Sequence, residues 1–270
     1  MPRLRVGVVL FENTPGELER LARSFHASAR PSDLEVELAF LDNSSGKTLA
    51  DPVRRLFPGA AYRRTGDNRG FGATHNAGMR DAFGAGADAY LCLNPDSVLH
   101  PGCLEALWTA TGLPSTGLVD ARTFPEEHPK PYEPETGDTP WCTGTALLVT
   151  RAAFSATGGF DEALFMYGED VDLSWRVRAA GLRTRTAPAA LVLHWVEYRP
   201  LDPERRLRVL RSAAYLGRKW GAPAFARSYE HLHRHFGGRP PELPPVAPVP
   251  EPAQQLADLH HGVRFARSRW

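Results

Sequence analysis

Four short strand-like runs, each ending in a polar turn and each separated from the next by helical spacing, restrict this chain more than any other feature. Leu4–Phe11, Val36–Leu41, Ala60–Arg64 and Ala89–Leu93 are the runs, and Val, Leu and Ala dominate them as in strands buried on both faces. Between the first two, Thr14 stands as an N-cap before Pro15, and Leu18, Leu21, Ala22 and Phe25 recur on one helical face. Helices over Leu49–Leu56 and Ala73–Phe83 separate the others. Strand, helix, strand, helix at this spacing predicts an α/β fold, with a doubly wound, mainly parallel sheet and helices on both faces. In such sheets ligands bind beyond the carboxyl ends of the strands. Glu12-Asn13, Asp42-Asn43, Asn68 and Asn94-Asp96 all follow strand-like runs, so they are predicted to meet along one edge.

The second half is less regular. Thr123–Asp138, rich in Pro and Glu, reads as a mobile loop able to close as a lid. Ala146–Val149 is predicted as a strand, Ala152–Ala156 as a short helix and Gly158–Asp161 as a turn. Val171–Ala180 is an amphipathic helix closed by Gly181, and Leu191–His194 a strand end. Helices follow over Pro203–Trp220 and Ala222–Phe236. Seven prolines between Pro240 and Pro252 make a stiff extended linker, and Ala253–Trp270 forms a last helical segment with Leu256, Leu259, Val263 and Phe265 as its apolar positions. The resulting division is a catalytic domain over 1–198 (a nucleotide-binding half to about 100, an acceptor half beyond), a helical extension over 199–239, a linker over 240–252 and a terminal segment over 253–270.

Charge and cysteine usage narrow the function. With 32 basic and 31 acidic residues, the net charge of +1 gives no support for binding nucleic acid through phosphate neutralisation. Cys92, Cys103 and Cys142 show no metal-binding spacing and imply buried, reduced thiols. No signal-peptide pattern follows Met1, and no stretch is long enough to span a bilayer. The expectation is a cytoplasmic protein whose membrane contact, if any, is peripheral at the inner face. Basic residues concentrate in the extension, ten Lys/Arg against three Asp/Glu from Arg199 to Arg239, with Tyr215, Trp220, Phe225, Tyr229 and Phe236 among them. That pattern suits packing on the catalytic domain, an anionic membrane surface, or a homodimer, and packing is the preferred reading.

Three units carry the chemistry. Asn94-Pro95-Asp96 closes a buried strand with one carboxylate; it is a good turn, and it is also a place to hold a divalent ion that grips a diphosphate. Glu169, Asp170 and Asp172 lie at a helix start, where the macrodipole favours acids and where one of them would serve as a general base. His194 is a structural histidine or a metal ligand.

In order along the chain, VGVVLFENTPGELERLARSF, LAFLDNSSG, GDNRGFGATHNAGM, YLCLNPDSVLHPGCLEAL, WCTGTALLVTRAAFSATGGFDEALFMYGEDVDLSWRVRAAG and LVLHW resemble a family 2 glycosyltransferase of the GT-A fold, in the rhamnosyltransferase-like bacterial branch. The resemblance implies an inverting glycosyltransferase, using a UDP- or dTDP-sugar and a hydroxyl acceptor, in cell-surface polysaccharide or glycoconjugate biosynthesis. It implies that Asp42 contacts base or ribose, and that Asn68, Gly70, Phe71 and Asn76 (an NxGFxxxxN match) line the nucleotide pocket beside Phe11 and Glu12. Asp96 would take metal and diphosphate, with Asn94 beside it binding the donor and His194 as a further metal or diphosphate contact, and the cofactor would be Mn²⁺ or Mg²⁺. Trp141, Gly144 and Thr145 would face donor sugar and acceptor. Asp170, with Glu169 beside it, matches the catalytic base. Three departures stand out: the acidic motif supplies one carboxylate rather than two, the first strand ends Phe11-Glu12-Asn13 where relatives carry a Thr-Tyr-Asn-like triplet, and Asp170 is followed by Val171-Asp172, so that the choice of base among Glu169, Asp170 and Asp172 rests on the family pattern and not on spacing. The rival readings are a nucleotidyltransferase, disfavoured because no Gly-rich basic loop follows the first strand, and a catalytically silent nucleotide-sugar-binding protein.

Overall fold

Alternation along the strands builds the molecule from its middle outward. In a computed structural model, which describes residues 1–194, 202–262 and 267–268, Leu91 and Leu93 of the fourth strand face one core while Tyr90 and Cys92 face another. In chain order the strands are β1 (Arg3–Leu10), β2 (Glu35–Asp42), β3 (Ala61–Arg64), β4 (Ala89–Leu93), β5 (Ser97–Leu99), β6 (Thr116–Phe124), β7 (Glu126–Glu127), β8 (Ala146–Thr150), β9 (Arg183–His194) and β10 (Arg267–Ser268). The helices are α1 (Pro15–Ala27), α2 (Ala50–Leu56), α3 (Phe71–Gly84), α4 (Cys103–Thr111), α5 (Arg151–Thr157), α6 (Glu169–Ala179), α7 (Pro203–Lys219), α8 (Pro223–Gly237), α9 (Glu251–Gln254) and α10 (Leu259–Gly262). Trp195, Val263 and Phe265 of the sequence reading lie outside the described residues, as does the boundary at 198.

Eight strands form one sheet in the order β3-β2-β1-β4-β8-β6-β9-β5. β3, β2, β1 and β4 are parallel, β8 runs antiparallel to β4 and β6, β9 is parallel to β6, and β5 is antiparallel to β9. The first core takes α1, α2 and α4 through Leu18, Phe25, Val53 and Leu107; the second takes α3, α5 and α6 through Met79, Ala153, Leu173 and Val177. Helices thus cover both faces. α1 opens with a full capping box, Thr14 and Glu17 each accepting from the other's backbone amide.

The sequence reading assigns no element between Asp96 and Thr123, where the structure has β5, α4 and most of β6. Gly117, Asp120 and Arg122 interrupt the apolar run of β6, although all but one of its residues before Phe124 are buried. The expected mobile loop is corrected as well. Thr123 and Phe124 belong to β6, and the rest of the segment is tied to the body: Lys130 reaches a buried carboxylate, Arg122 pairs with Glu127 at 3.2 Å, and Asp138 pairs with Arg183 at 2.5 Å and Arg185 at 2.6 Å.

A third core joins the C-terminal helices to α6. Trp141, Val171 and Trp175 pack with Tyr215, Leu216 and Trp220, and Leu243, Val246 and Val249 of the proline-rich run cover them. Lys219 Nζ lies 2.6 Å from Asp161 and 2.8 Å from Asp172, and Trp220 Nε1 donates to Asp172 at 3.0 Å. Of the interleaved aromatics, Tyr215 and Trp220 are buried, Phe225 and Tyr229 half-buried, and Phe236 exposed. Among the described residues, no helix is long and apolar enough to cross a membrane.

Candidate active site

Parallel pairing brings the carboxyl ends of β1, β2 and β4 side by side, as the polar clusters predict. Beyond β1, Phe11 is exposed and Glu12 adopts a left-handed backbone, φ 56°, its amide donating to Ser44 Oγ at 2.8 Å. Asp42 is fully buried; it accepts from the Ser44 amide at 2.9 Å and from the Tyr62 hydroxyl. Its neighbour Asn43 is the cross-link the sequence reading missed. It donates to Thr74 Oγ1 at 2.8 Å and accepts from Thr65 Oγ1 at 2.8 Å, and it reaches Asn68 at 3.4 Å, holding the 65–70 loop to the start of α3.

Asn68 is exposed and accepts from the Gly70 amide at 3.1 Å. Gly70 has φ 82°, and a Cβ there would lie 2.3 Å from the Phe165 carbonyl oxygen, so no other residue fits the turn. The Phe71 amide donates to that same carbonyl at 3.2 Å. Asn76 is placed differently from the pocket-lining residue expected. It is buried under the turn before α6, donating to the Phe160 carbonyl at 2.9 Å and to Glu162 at 3.0 Å, and accepting from the Phe160 amide at 2.8 Å. Its amide is consumed in holding that turn.

Asp96 and His194 do come together. His194 ends β9 opposite Ser97, which places its Nε2 3.3 Å from Asp96 Oδ1 and 3.4 Å from Asn94 Nδ2. Both side chains are partly open to solvent. Among the described residues, no group of three or more His, Cys, Asp or Glu side chains is placed to hold a metal ion. One carboxylate and one imidazole fit an open divalent-ion site that draws its remaining ligands from phosphate and water, and do not fit a closed structural one.

The Asn94 amide donates to the Thr145 carbonyl at 2.9 Å, so this turn adjoins the start of β8. There the Gly144 amide donates to Asp170 Oδ2 at 2.8 Å, and the Val171 amide donates to Oδ1 at 2.8 Å. Tyr167 (φ 72°) and Gly168 (φ 84°), two consecutive left-handed residues, turn the chain into α6 and aim Asp170 at this point. Burial raises the Asp170 carboxyl above the usual range, opposed by its two amide donors. Glu169 is buried, its Oε2 has no partner among the described residues, and burial, aided by the charge of Asp170, pushes it up to about 8. Asp172, the third acid of this helix start, faces away: it is fully buried against Arg176, Lys219 and Trp220. Trp141 is also turned inward. Its ring is 1% exposed, packed under His128 at 5.3 Å and against α6, so it supports the Gly144 turn from behind instead of facing a ligand. Thr145 is buried with its carbonyl spent on Asn94.

A buried pair that the sequence reading did not single out lies directly behind this turn. Asp120 of β6 accepts from the Thr143 amide at 2.7 Å and from Lys130 Nζ at 2.7 Å. The one available signal was an Asp inside an otherwise buried strand, which demands a partner without naming it.

Residues 9–165 match the profile of Glycosyl transferase family 2. The N-acetylglucosaminyl-diphospho-decaprenol L-rhamnosyltransferase of Mycobacterium tuberculosis is 28% identical over 256 residues, spanning 77% of this chain and 82% of the relative. Rhamnosyltransferase WbbL of Escherichia coli is 40% identical over 58 residues, 22% of each chain. Among solved structures, the mannosyltransferase PcManGT from Pyrobaculum calidifontis, in complex with GDP-Man and Mn²⁺, superposes with a TM-score of 0.62 at 18% identity, covering 97% of this chain and 71% of that one. GalNAc-T7 with UDP, GalNAc and Mn²⁺ gives 0.64 at 13% identity, over 86% of this chain and 54% of that one.

Proposed function

The chain belongs to glycosyl transferase family 2, as a rhamnosyltransferase-like glycosyltransferase of the GT-A fold, and on that basis we propose that it transfers a deoxyhexosyl group from a UDP- or dTDP-sugar to an acceptor hydroxyl with inversion. The observation that carries this reading is the junction of Asp170, Gly144 and the Asn94–Asp96 turn: a carboxylate with raised proton affinity stands next to the polar turn that carries Asp96. Asp170 takes the proton of the acceptor hydroxyl at its carboxylate. The hydroxyl oxygen forms its bond to the anomeric carbon as the bond from that carbon to the diphosphate oxygen breaks, and the electron pair leaves with the diphosphate. Phe11, Glu12, Asn68 and Phe71 border the nucleotide, with Asp42 acting through Ser44 and Tyr62. Asp96 and His194 are the residues that would hold a divalent ion, which would supply charge neutralisation at the departing diphosphate. Glu169, protonated over most of the physiological range, spares Asp170 a second adjacent charge.

The lipid-linked acceptor named for the Mycobacterium tuberculosis relative supports a polyprenyl-diphosphate saccharide as acceptor here, and so a place in surface-glycan assembly. The division into a donor half to about residue 100, an acceptor half beyond it and a C-terminal extension belongs to the same reading. The test is a thermal-shift panel of UDP, dTDP, GDP, ADP and CMP with and without Mn²⁺ or Mg²⁺, followed by nucleotide-release assays with the matching sugar. A rise for one diphosphate, enlarged by metal, supports the donor class; at about 100 times Kd it amounts to roughly 2.7 kcal/mol. No rise with any of them overturns the reading.

A further inference from the structure

Two consecutive backbone amides in the turn before β8 bind two different acids. The Thr143 amide goes to Asp120 at 2.7 Å, and the Gly144 amide goes to Asp170 at 2.8 Å. The orientation of the second amide is therefore fixed by the anchoring of the first. Asp120 is fully buried on β6, and its counter-charge comes from a distant part of the chain. Lys130 Nζ, itself buried, donates to Asp120 Oδ2 at 2.7 Å, to the Trp141 carbonyl at 2.9 Å and to Thr186 Oγ1 at 2.7 Å, which uses all three of its protons. Thr186 in turn donates to Asp120 Oδ1 at 2.8 Å. Lys130 grips the turn at both ends, through the Trp141 carbonyl and through Asp120.

We propose that Lys130 is a positioning residue for Asp170, acting through Asp120 and the Thr143–Gly144 amides. It has two effects. It fixes the amide that orients the Asp170 carboxylate, and it cancels the charge of Asp120, which otherwise repels a proton-free Asp170. Among the described residues, the titratable groups whose charge bears on Asp170 are Glu169 on its own helix, Asp120 on β6 and the buried Cys142 thiol. Lys130, on the 125–138 segment, is the cation bound to that set, through Asp120 at 2.7 Å. The segment that reads in sequence as a detachable lid is then part of the site's fixed frame.

This inference rests on Asp170 as the base, and its test is separable from that reading. Full-length protein labelled with ¹³C at the aspartate carboxyls is titrated by NMR, with the Asp170 signal assigned by its loss in Asp170→Asn. In Lys130→Met, the Asp170 midpoint rises by about one pH unit, the size of an uncompensated neighbouring charge. In the double variant Asp120→Asn/Lys130→Met, it returns towards the wild-type value. A purely structural Lys130 lowers the melting temperature in both variants without moving the midpoint. If Lys130→Met does not fold, Lys130→Gln, which keeps an amide donor, carries the same comparison. An unchanged midpoint in a folded variant, or a rise that Asp120→Asn fails to reverse, overturns the inference. Transfer by Asp170→Asn is measured separately: activity near wild type there removes the base reading itself, whatever Lys130 does.

Discussion

Gly144 and Asp170 are joined by a 2.8 Å hydrogen bond from the amide of the first to Oδ2 of the second, and the contact leaves only a tight space for a side chain at 144. A Cβ on Gly144 would stand 3.3 Å from the Phe71 ring and 3.5 Å from the same carboxylate oxygen. That Cβ is in ordinary contact with Asp170 but slightly too close to Phe71, so in Gly144→Ala the Phe71 ring gives by a few tenths of an ångström. The expected result is weaker nucleoside-diphosphate binding, because Phe71 borders the proposed nucleotide pocket, with kcat falling by less than about tenfold, given that 1 Å costs about a hundredfold. Unchanged diphosphate affinity in a folded Gly144→Ala would mean that Phe71 does not border the bound nucleotide.

Asp170→Asn removes the proposed base while keeping the shape and one acceptor oxygen. Transfer is expected to fall by about 10²–10⁴, the contribution of a positioned proton acceptor, and the melting temperature to fall modestly, because the new NH2 faces one of the two backbone amides that donate to Asp170. Single-turnover nucleotide release checks this.

Asp96, in the turn before β5, and His194, at the end of β9, are 3.3 Å apart, and each is expected to contribute separately to a metal-assisted diphosphate site. Asp96→Ala should abolish the metal-dependent part of the nucleoside-diphosphate thermal shift, and His194→Ala should reduce it, leaving the metal-independent part from Phe11 and Asn68. Titration calorimetry of the diphosphate with and without Mn²⁺ measures both. A shift that stays metal-dependent in both variants would place the ion elsewhere.

Glu169 makes a pH prediction. Its folded pKa of about 8 lies above its ordinary value of 4.5, so the fold binds this proton more tightly than the unfolded chain does. Stability from this group is complete below about 4.5 and declines as pH rises through 8, a loss on the order of a few kcal/mol. Glu169→Gln lacks the ionising group. Between pH 5 and 8.5 its melting temperature should fall less than that of the wild type, and the variant should be the more stable of the two at the alkaline end. Parallel curves would contradict the buried, partnerless placement of Oε2.

Lys219 carries a stability prediction distinct from catalysis. It is bound to Asp161 and Asp172, both at least half-buried, and its removal takes the cation from Asp161 and leaves Asp172 with Arg176 alone. Lys219→Met should cost about 3–5 kcal/mol in urea unfolding, as for other broken buried pairs. Little loss would mean that water reaches both carboxylates.

The parallel half of the sheet and its polar edge were legible because strand runs, caps and turns are local: Thr14, Pro15 and Glu17 form the helix start that their order predicts, and Asp42, Asn68 and Asp96 do end on one edge. In the antiparallel half β8 and the end of β9 were legible too, but β6 was not, since it carries Gly117, Asp120 and Arg122 in place of an apolar run, and Asp120 is satisfied only by Thr143, Thr186 and Lys130. Lys130 in a Pro- and Glu-rich stretch looks solvated until its three acceptors converge. Asn76 and Trp141 fit the family pattern by position, but their side chains are used on the inner side of the site. Asp170 was distinguishable from Asp172 only once Lys219 and Trp220 were seen to occupy the latter.

The placement of Lys219 between two acids of the catalytic domain also has an evolutionary reading. Positions 161, 172, 176 and 219 form one charge-balanced set of two acids and two cations spread over a turn, α6 and α7. Drift at any one of them is tolerated only when the others change with it, so in homologous sequences the four should be inherited as a block, and a C-terminal extension exchanged between relatives should graft successfully only from a donor that already carries a cation at the position of Lys219.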